Sequence, residues 1–221
     1  MNMVNRAAVI VGATGPEIVK LIDSINTTSQ FCYQIEGFLD DNPDKWGTSF
    51  MGYPVLGSTT LLSGPYKNCW VVNNVGSATA ARKGVWQKMK AAGAGHFPVL
   101  AHSGIDLRYV AVGEGTVIQE GCIIGPNVRI GAQCWISAGV FIGHDSSLAD
   151  VICLSPRAFV GSRVTVCEGA YLGAGCIILP QCRVGEWSTV GAGSTVIEEV
   201  PDHSTVFGCP ARVIARRPPA S

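Results

Sequence analysis

One period dominates this sequence. Stepping by six residues from Val112 gives Val112, Ile118, Ile124, Ile130, Ile136, Ile142, Leu148, Leu154, Val160, Val166, Leu172, Ile178, Val184, Val190 and Val196, fifteen aliphatic residues without a break. Glycine often follows, as at Gly113, Gly125, Gly131, Gly143, Gly161, Gly173, Gly185 and Gly191. The position two before each aliphatic is mostly small, with Cys122, Cys134, Ser146, Ala158, Ala170, Cys176, Cys182, Ser188 and Ser194 among its members. A six-residue period is a signature of a parallel β-helix. Each hexad is a short flat strand plus a tight corner. Its aliphatic residue points inward and stacks on its equivalent one coil away. The small residue also points inward near the corner, where there is little room. Three hexads close a triangular coil of eighteen residues, so Val112 to Val196 spells nearly five coils with no inserted loop. Four of the nine cysteines stand in the small-residue ladder, which marks them as packing residues.

The residues before the repeat read differently. AAVIVGA (7–13) is an aliphatic run ending in glycine, the pattern of a buried parallel strand. PEIVKLIDSINTT (16–28) follows as a helix, with Pro16 in its first turn and Ile18, Val19, Leu21, Ile22 and Ile25 as its apolar face. CYQIEGFLDD (32–41) and CWVVNNVGS (69–77) read as further strands, and ATAARKGVWQKMKAAG (78–93) as a second helix ending at glycine. The expectation is a Rossmann-like α/β domain over residues 1–97 followed by a parallel β-helix domain and tail over 98–221. A parallel sheet with crossover helices places ligands at the carboxyl ends of its strands. The turn Gly12-Ala13-Thr14-Gly15, the pair Asp40–Asp41 and the pair Asn73–Asn74 all fall there. The turn lacks the full GxGxxG spacing, so it is weak support for a dinucleotide.

Charge narrows the function classes. Sixteen Lys+Arg balance sixteen Asp+Glu, and only 14% of residues are charged, so no nucleic-acid or anionic-membrane footprint is expected. No apolar run is long enough to span a bilayer, and the N-terminus lacks a secretory pattern. A cytoplasmic protein with free thiols is the expectation.

The stretch FIGHDSSLAD (141–150) holds a histidine with no packing reason to be there. His144 lies two residues past the inward Ile142, on a corner or outward face. It is either a solvated surface residue or a chemical group. Asp145 follows it directly. Neighbours in an extended segment point to opposite sides, so Asp145 reaches the imidazole only if the corner bends the chain. The four histidines show no three-ligand zinc pattern, and no metal is expected.

The hexads, the Gly-His-Asp at 143–145, the Ile-Leu-Pro at 178–180 and the closing FGCPARVI at 207–214 carry a resemblance. The chain resembles the hexapeptide-repeat sugar O- and N-acetyltransferases related to sialic acid O-acetyltransferase and to enzymes acting on nucleotide-linked 4-amino-4,6-dideoxy sugars. The resemblance covers about residues 7–214. It implies a left-handed β-helix, a homotrimer with active sites between subunits, and acetyl-CoA as co-substrate. It implies His144 as general base with Asp145 as its partner, and an amide at Gly161-Ser162 as oxyanion donor. Pro180 would lie farther along the pantetheine groove. Gly208, Pro210 and Ala211 would flank the adenine end, or form a terminal turn that caps the solenoid. Some relatives have a second histidine where this chain has Cys153, for which buried filler is the ordinary reading. In the first domain the resemblance points to a nucleotide-linked amino sugar held by Gly12, Ala13, Thr14, Asp40, Asp41, Asn73, Arg82 and His102. Asp40 and Asp41 read nearly as well as a solvated strand end or a cap for DNPDKW. Arg82 meets a phosphate or solvates a helix, and His102 touches the acceptor or caps the first coil. The implied reaction is N-acetylation of the sugar amine. The alternatives are O-acetylation of a sialic-acid-like sugar and a non-catalytic β-helix scaffold.

Overall fold

The computed structural model describes residues 4–28, 31–76 and 78–216. Ser77, at the end of the expected third strand, and residues 217–221 of the expected tail lie outside the described residues. The chain divides into two compact units, Met1–Ser103 and Gly104–Ser221. The boundary falls after residue 103 rather than 97 because the segment between them belongs to the first core. Leu100 is fully buried there, and its short strand Leu100–Ala101 packs against the first helix.

The first unit is an α/β sandwich. Strand β1 (Val4–Val11) runs into helix α1 (Glu17–Thr28), which returns the chain to strand β2 (Phe31–Leu39). Two strands absent from the sequence reading follow, β3 (Ser49–Phe50) and β4 (Tyr53–Gly57), then β5 (Trp70–Asn73) and helix α2 (Thr79–Ala91). The sheet order is β3-β4-β2-β1-β5. All neighbours are parallel except the β3–β4 hairpin at the edge. The five apolar residues expected on α1 are the ones it buries. Val9, Val11, Leu39, Leu62, Val71, Met89 and Phe97 form a core beside the sheet. Three strand ends, after Val11, Leu39 and Asn73, thereby share one edge of the sheet. Gly12 N–H donates to Leu39 O at 2.8 Å and Asn74 N–H to Val11 O at 2.8 Å, fixing the three departing loops to one another.

The second unit is the solenoid. Fifteen two-residue strands run from Ala111–Val112 to Thr195–Val196, and each ends on one of the aliphatic residues of the period. Partners lie one coil apart, as Phe141–Ile142 on Phe159–Val160. Three sheets result, one per face of a triangular prism, with Ile136, Ile142, Leu154 and Val160 enclosed at zero exposure. Burying each such side chain contributes about 1.5–3 kcal/mol.

Two different demands shape the corners. One residue per hexad adopts a left-handed backbone, among them Asn127 (φ 60), Asp145 (φ 60), Arg163 (φ 58) and Gln181 (φ 66). That turn costs an L-residue energy but rotates the chain from one face to the next. The glycine after each aliphatic answers the other demand. A Cβ on Gly143 would lie 2.6 Å from the Ser162 nitrogen, and one on Gly173 2.5 Å from the Ala192 nitrogen. Close stacking of coils forbids the side chain there.

The inward small residues are also satisfied by the neighbouring coil. Ser146 Oγ donates to Gly161 O at 2.9 Å and accepts from Val164 N–H at 3.1 Å. Cys134 Sγ donates to Ala149 O at 3.2 Å. Cys122, Cys134, Cys176 and Cys182 are all buried, and desolvation pushes the Cys176 thiol up to about 12. These are inert fillers rather than nucleophiles. The last coil continues into an antiparallel hairpin, Ser204–Gly208 with Ala211–Arg216. No helix among the described residues is long and apolar enough to cross a membrane.

Candidate active site

His144 and Asp145 form the sharpest chemical feature of the solenoid. Gly143 ends the strand segment, and Asp145 takes the left-handed corner conformation. That bend is what a flat strand would not supply, and it swings the two side chains onto the same side. His144 Nδ1 lies 2.7 Å from Asp145 Oδ2. Backbone bonds lock the corner to its neighbours: Asp145 N–H donates to Pro126 O at 3.1 Å, and His144 O accepts from Arg163 N–H at 2.9 Å. The hydrogen bond from His144 chiefly, with one from Asn127 Nδ2 at 3.1 Å, holds the Asp145 carboxyl below its ordinary range. An ionised Asp145 only accepts, so Nδ1 carries the proton, and in the neutral imidazole Nε2 presents its lone pair. The two side chains stay about half exposed, 48% and 44%, so a substrate can reach them. A neutral imidazole with a carboxylate fixing its tautomer is the arrangement a general base needs.

One coil on, at the same edge of the prism, stands Ser162. Gly161 N–H is committed to Ile178 O at 2.9 Å, but among the described residues the Ser162 N–H has no partner. Corner amides at this position point away from the ladder. Ala132, Ala138 and Glu186 give theirs to side chains, and Pro126 and Pro180 have none to give. Ser162 keeps a free donor on the edge that carries His144; among the described residues the equivalent corner amides of His144, Ala174 and Ala192 are free as well. Pro180 continues the same edge. Gly208, Pro210 and Ala211 lie at the hairpin tip and extend another edge of the prism, the one that follows Val190 and Val206. One copy of the chain does not bring them beside His144 along a single groove.

Cys153 is 2% exposed, on a strand flanked by Trp135 and Tyr171, as expected of filler.

The first unit gathers part of its expected set. Ala13 N–H donates to Asp40 Oδ2 at 3.0 Å, and Lys45 Nζ reaches the same oxygen at 2.7 Å. Burial pushes the Asp40 carboxyl up, but the Lys45 ammonium and the Asn42 and Ala13 N–H groups outweigh it and hold the carboxyl low. Asp41 is likewise pushed up by burial and pulled lower overall by Thr59 and Lys88. Its Oδ1 accepts from Thr59 N–H at 3.0 Å and Oγ1 at 2.8 Å, and its Oδ2 meets Lys88 at 3.0 Å. Both carboxylates tie loops together, whereas the cap of the short Pro43–Lys45 turn is Asn42, whose side chain accepts from Asp44 N–H. Asn74, not Asn73, braces the glycine turn, with Nδ2 donating to Gly12 O and Gly15 O at 3.0 Å each and its carbonyl accepting from Thr14 Oγ1 at 3.3 Å.

Arg82 corrects an expectation. It is fully buried and donates to Asn73 O at 2.9 Å and Val75 O at 3.0 Å, so it pins the loop after β5 and does not solvate a helix. His102 is half-buried just after Leu100–Ala101. A cleft of about 470 Å³ opens beside Asp41, lined by Trp46, Thr59, Thr60 and Lys88. Only Asp41 of these was foreseen. Trp46 stands before β3, Thr59 and Thr60 just after β4, and Lys88 on α2. Among the described residues no group of three or more His, Cys, Asp and Glu side chains comes together as metal ligands.

Comparison with known proteins places this geometry. The model of the bacterial transferase hexapeptide (six repeats) matches residues 163–198. The second unit is a hexapeptide-repeat solenoid. Serine acetyltransferase of Bacillus pumilus is 34% identical over 109 residues, 49% of this chain and 42% of that protein. The acyl-[acyl-carrier-protein]–UDP-N-acetylglucosamine O-acyltransferase of Pseudomonas aeruginosa is 33% identical over 121 residues, 52% of this chain and 46% of that protein. The chain thus spans about half the length of the curated relatives it matches. Among solved structures, the acetyltransferase domain of PglB from Neisseria gonorrhoeae superposes with a TM-score of 0.83 at 24% identity, covering 95% of this chain and 100% of that one. PerB from Caulobacter crescentus, in complex with CoA and GDP-perosamine, gives 0.83 at 24% identity, covering 95% and 97%. The shared fold is a Rossmann-like unit followed by a left-handed β-helix.

Proposed function

We propose that this protein is an acetyl-CoA-dependent N-acetyltransferase acting on the amino group of a nucleotide-linked aminodeoxy sugar. The observation that carries the reading is the His144–Asp145 pair with the free Ser162 N–H one coil away on the same edge. A thioester acyl transfer needs these two functions side by side. The base takes the proton from the attacking amine as the tetrahedral intermediate forms and returns it to the departing sulfur. The amide stabilises the oxyanion. The choice of acceptor rests on likeness in fold to PerB, whose structure holds CoA and GDP-perosamine, and to the PglB domain, which has been solved with acetyl coenzyme A.

The active unit in this reading is a homotrimer. Ile123, Phe141, Phe159 and Ile177 form an outward apolar ladder on the face that ends at the His144 edge, with Ile123 62% exposed. Phe141 and Phe159 stack at 4.8 Å. A second copy on that face covers the ladder. It also supplies Gly208, Pro210 and Ala211 from its own different edge to complete the acetyl-CoA groove. On this reading the enzyme works in the cytoplasm, where acetyl-CoA is made and used.

Hydroxyl acceptors are the second reading, favoured by the matched relatives named serine acetyltransferase and O-acyltransferase. Thiol release from acetyl-CoA with a panel of nucleotide-linked amino sugars, wild type beside His144→Ala, separates the readings. Turnover with an amino sugar that falls about 10²–10⁴-fold in the variant is the expected result. Turnover that survives in His144→Ala removes the base, and turnover with hydroxyl acceptors alone moves the assignment to O-acetylation.

A further inference from the structure

Asn127 stands one coil before Asp145, in the same left-handed corner conformation. Its side-chain amide donates to Asp145 Oδ1 at 3.1 Å, while the other oxygen of that carboxylate faces His144 Nδ1 at 2.7 Å. A carboxylate held at one oxygen rotates about its terminal bond. Held at both, it has one orientation, and the imidazole that leans on it is oriented too. Asparagine tolerates a positive φ, which alone explains such a residue at a corner. Yet Gln133, Arg157, Arg163 and Gln181 adopt similar corners, so the backbone does not require asparagine at this one. Asn127 also lines a groove of about 420 Å³ with Tyr109, Ala111 and Arg129.

We infer that Asn127 is a positioning residue for the His144–Asp145 pair, fixing the Asp145 carboxylate so that His144 presents Nε2 to the acceptor. The inference rests on His144 as base. The titratable and charged groups facing Asp145 are the His144 imidazole beside it and the Arg163 guanidinium one coil on.

Two variants test it in the full-length protein. Asn127→Gly keeps a residue at ease with positive φ and removes the amide. Asn127→Asp replaces the amide by a carboxyl that donates to Asp145 only when protonated. The first readout is ¹⁵N NMR of the imidazole nitrogens, with the His144 signals assigned by their loss in His144→Ala. Wild type is expected to show a single Nδ1–H tautomer and Asn127→Gly a mixture, a result that needs no known acceptor. The second readout is kinetic. Asn127→Gly lowers kcat about tenfold or more, with KM for acetyl-CoA within about twofold, as misplacement of a catalytic group predicts. Asn127→Asp is weakest at pH 8 and gains relative to wild type as pH falls toward 5, because the protonated carboxyl restores the donor. An unchanged tautomer in Asn127→Gly, or a ratio of Asn127→Asp to wild type that is flat with pH, overturns the inference. If His144→Ala is inactive and the Asn127 variants match wild type, the positioning role alone falls. If His144→Ala is fully active, the base falls and the positioning role with it.

Discussion

The two units of this chain hold themselves together by different means. In the solenoid the coils repeat a small set of contacts: an aliphatic stack, small inward residues of which several bond to the next coil, and glycines that let the coils close. In the first unit the edge loops are held by contacts that occur once. Asp40 ties Ala13 to Lys45, Asp41 ties Thr59 to Lys88, and Asn74 ties Gly12 to Gly15. Repetition makes a fold readable and robust to any single loss of polar contact, but sensitive to steric misfit. Single-copy contacts make loops that one substitution can release. The difference predicts where each unit breaks.

The largest effect is expected from a cavity in the stack. Ile136 is fully buried between Ile118 and Leu154 of the adjacent coils. Neither coil can collapse into the gap without disturbing its own register. Ile136→Ala is expected to cost about 2–5 kcal/mol in chemical denaturation. A loss below about 1 kcal/mol would mean that the prism core relaxes far more than close packing allows.

This also explains how much of the molecule was legible. The period exposed the solenoid because each inward position is dictated by the same environment fifteen times. It placed His144 at a corner for the same reason. What the inward positions alone did not show was that each hexad turns through a left-handed corner residue, here Asp145, which brings the carboxylate to the imidazole, nor the donor from Asn127, eighteen residues away. In the first unit, α1 and the buried strands announced themselves by apolar pattern. The β3–β4 hairpin did not, since Ser49–Phe50 and Tyr53–Gly57 are short and alternate weakly. The cleft beside Asp41 depends on the loops around it, so Trp46, Thr59 and Lys88 carried no readable signal. Arg82 misled because its buried partners are carbonyl oxygens, which every sequence has.

Two glycines two residues apart sharpen the steric half of the comparison. A Cβ on Gly173 would lie 2.5 Å from the Ala192 nitrogen, whereas one on Gly175 meets nothing within 4 Å but sits at φ +63. Gly173→Ala is expected to destabilise by about 1–3 kcal/mol through overpacking. Gly175→Asn is expected within about 0.5 kcal/mol of wild type, because asparagine accepts the left-handed conformation. Equal melting shifts for the two would refute the separation of close-approach glycines from turn glycines.

The smallest effect concerns the acidic pair of the first unit. Removing the Asp41 carboxylate leaves the Thr59 N–H unsatisfied and unties Lys88 from the loop. Asp41→Ala is expected to cost about 0.5–2 kcal/mol, as loss of a side-chain cap does. It should also raise amide exchange at residues 58–60 while leaving the coils unaffected. Protonation tests the same contacts without a substitution. Asp40 and Asp41 both sit below the ordinary 3.8 in the folded protein, so their contribution is fully present above that value and fades as pH falls through the lower folded one. Amide exchange along an acid titration should therefore loosen residues 13–14 and 58–60 below about pH 4, before the solenoid stacks respond, because an aliphatic ladder carries no titrating group. Simultaneous loosening of both units would show that the acidic loops are not the weak point, and that the contrast between single-copy and repeated contacts does not set the order of failure.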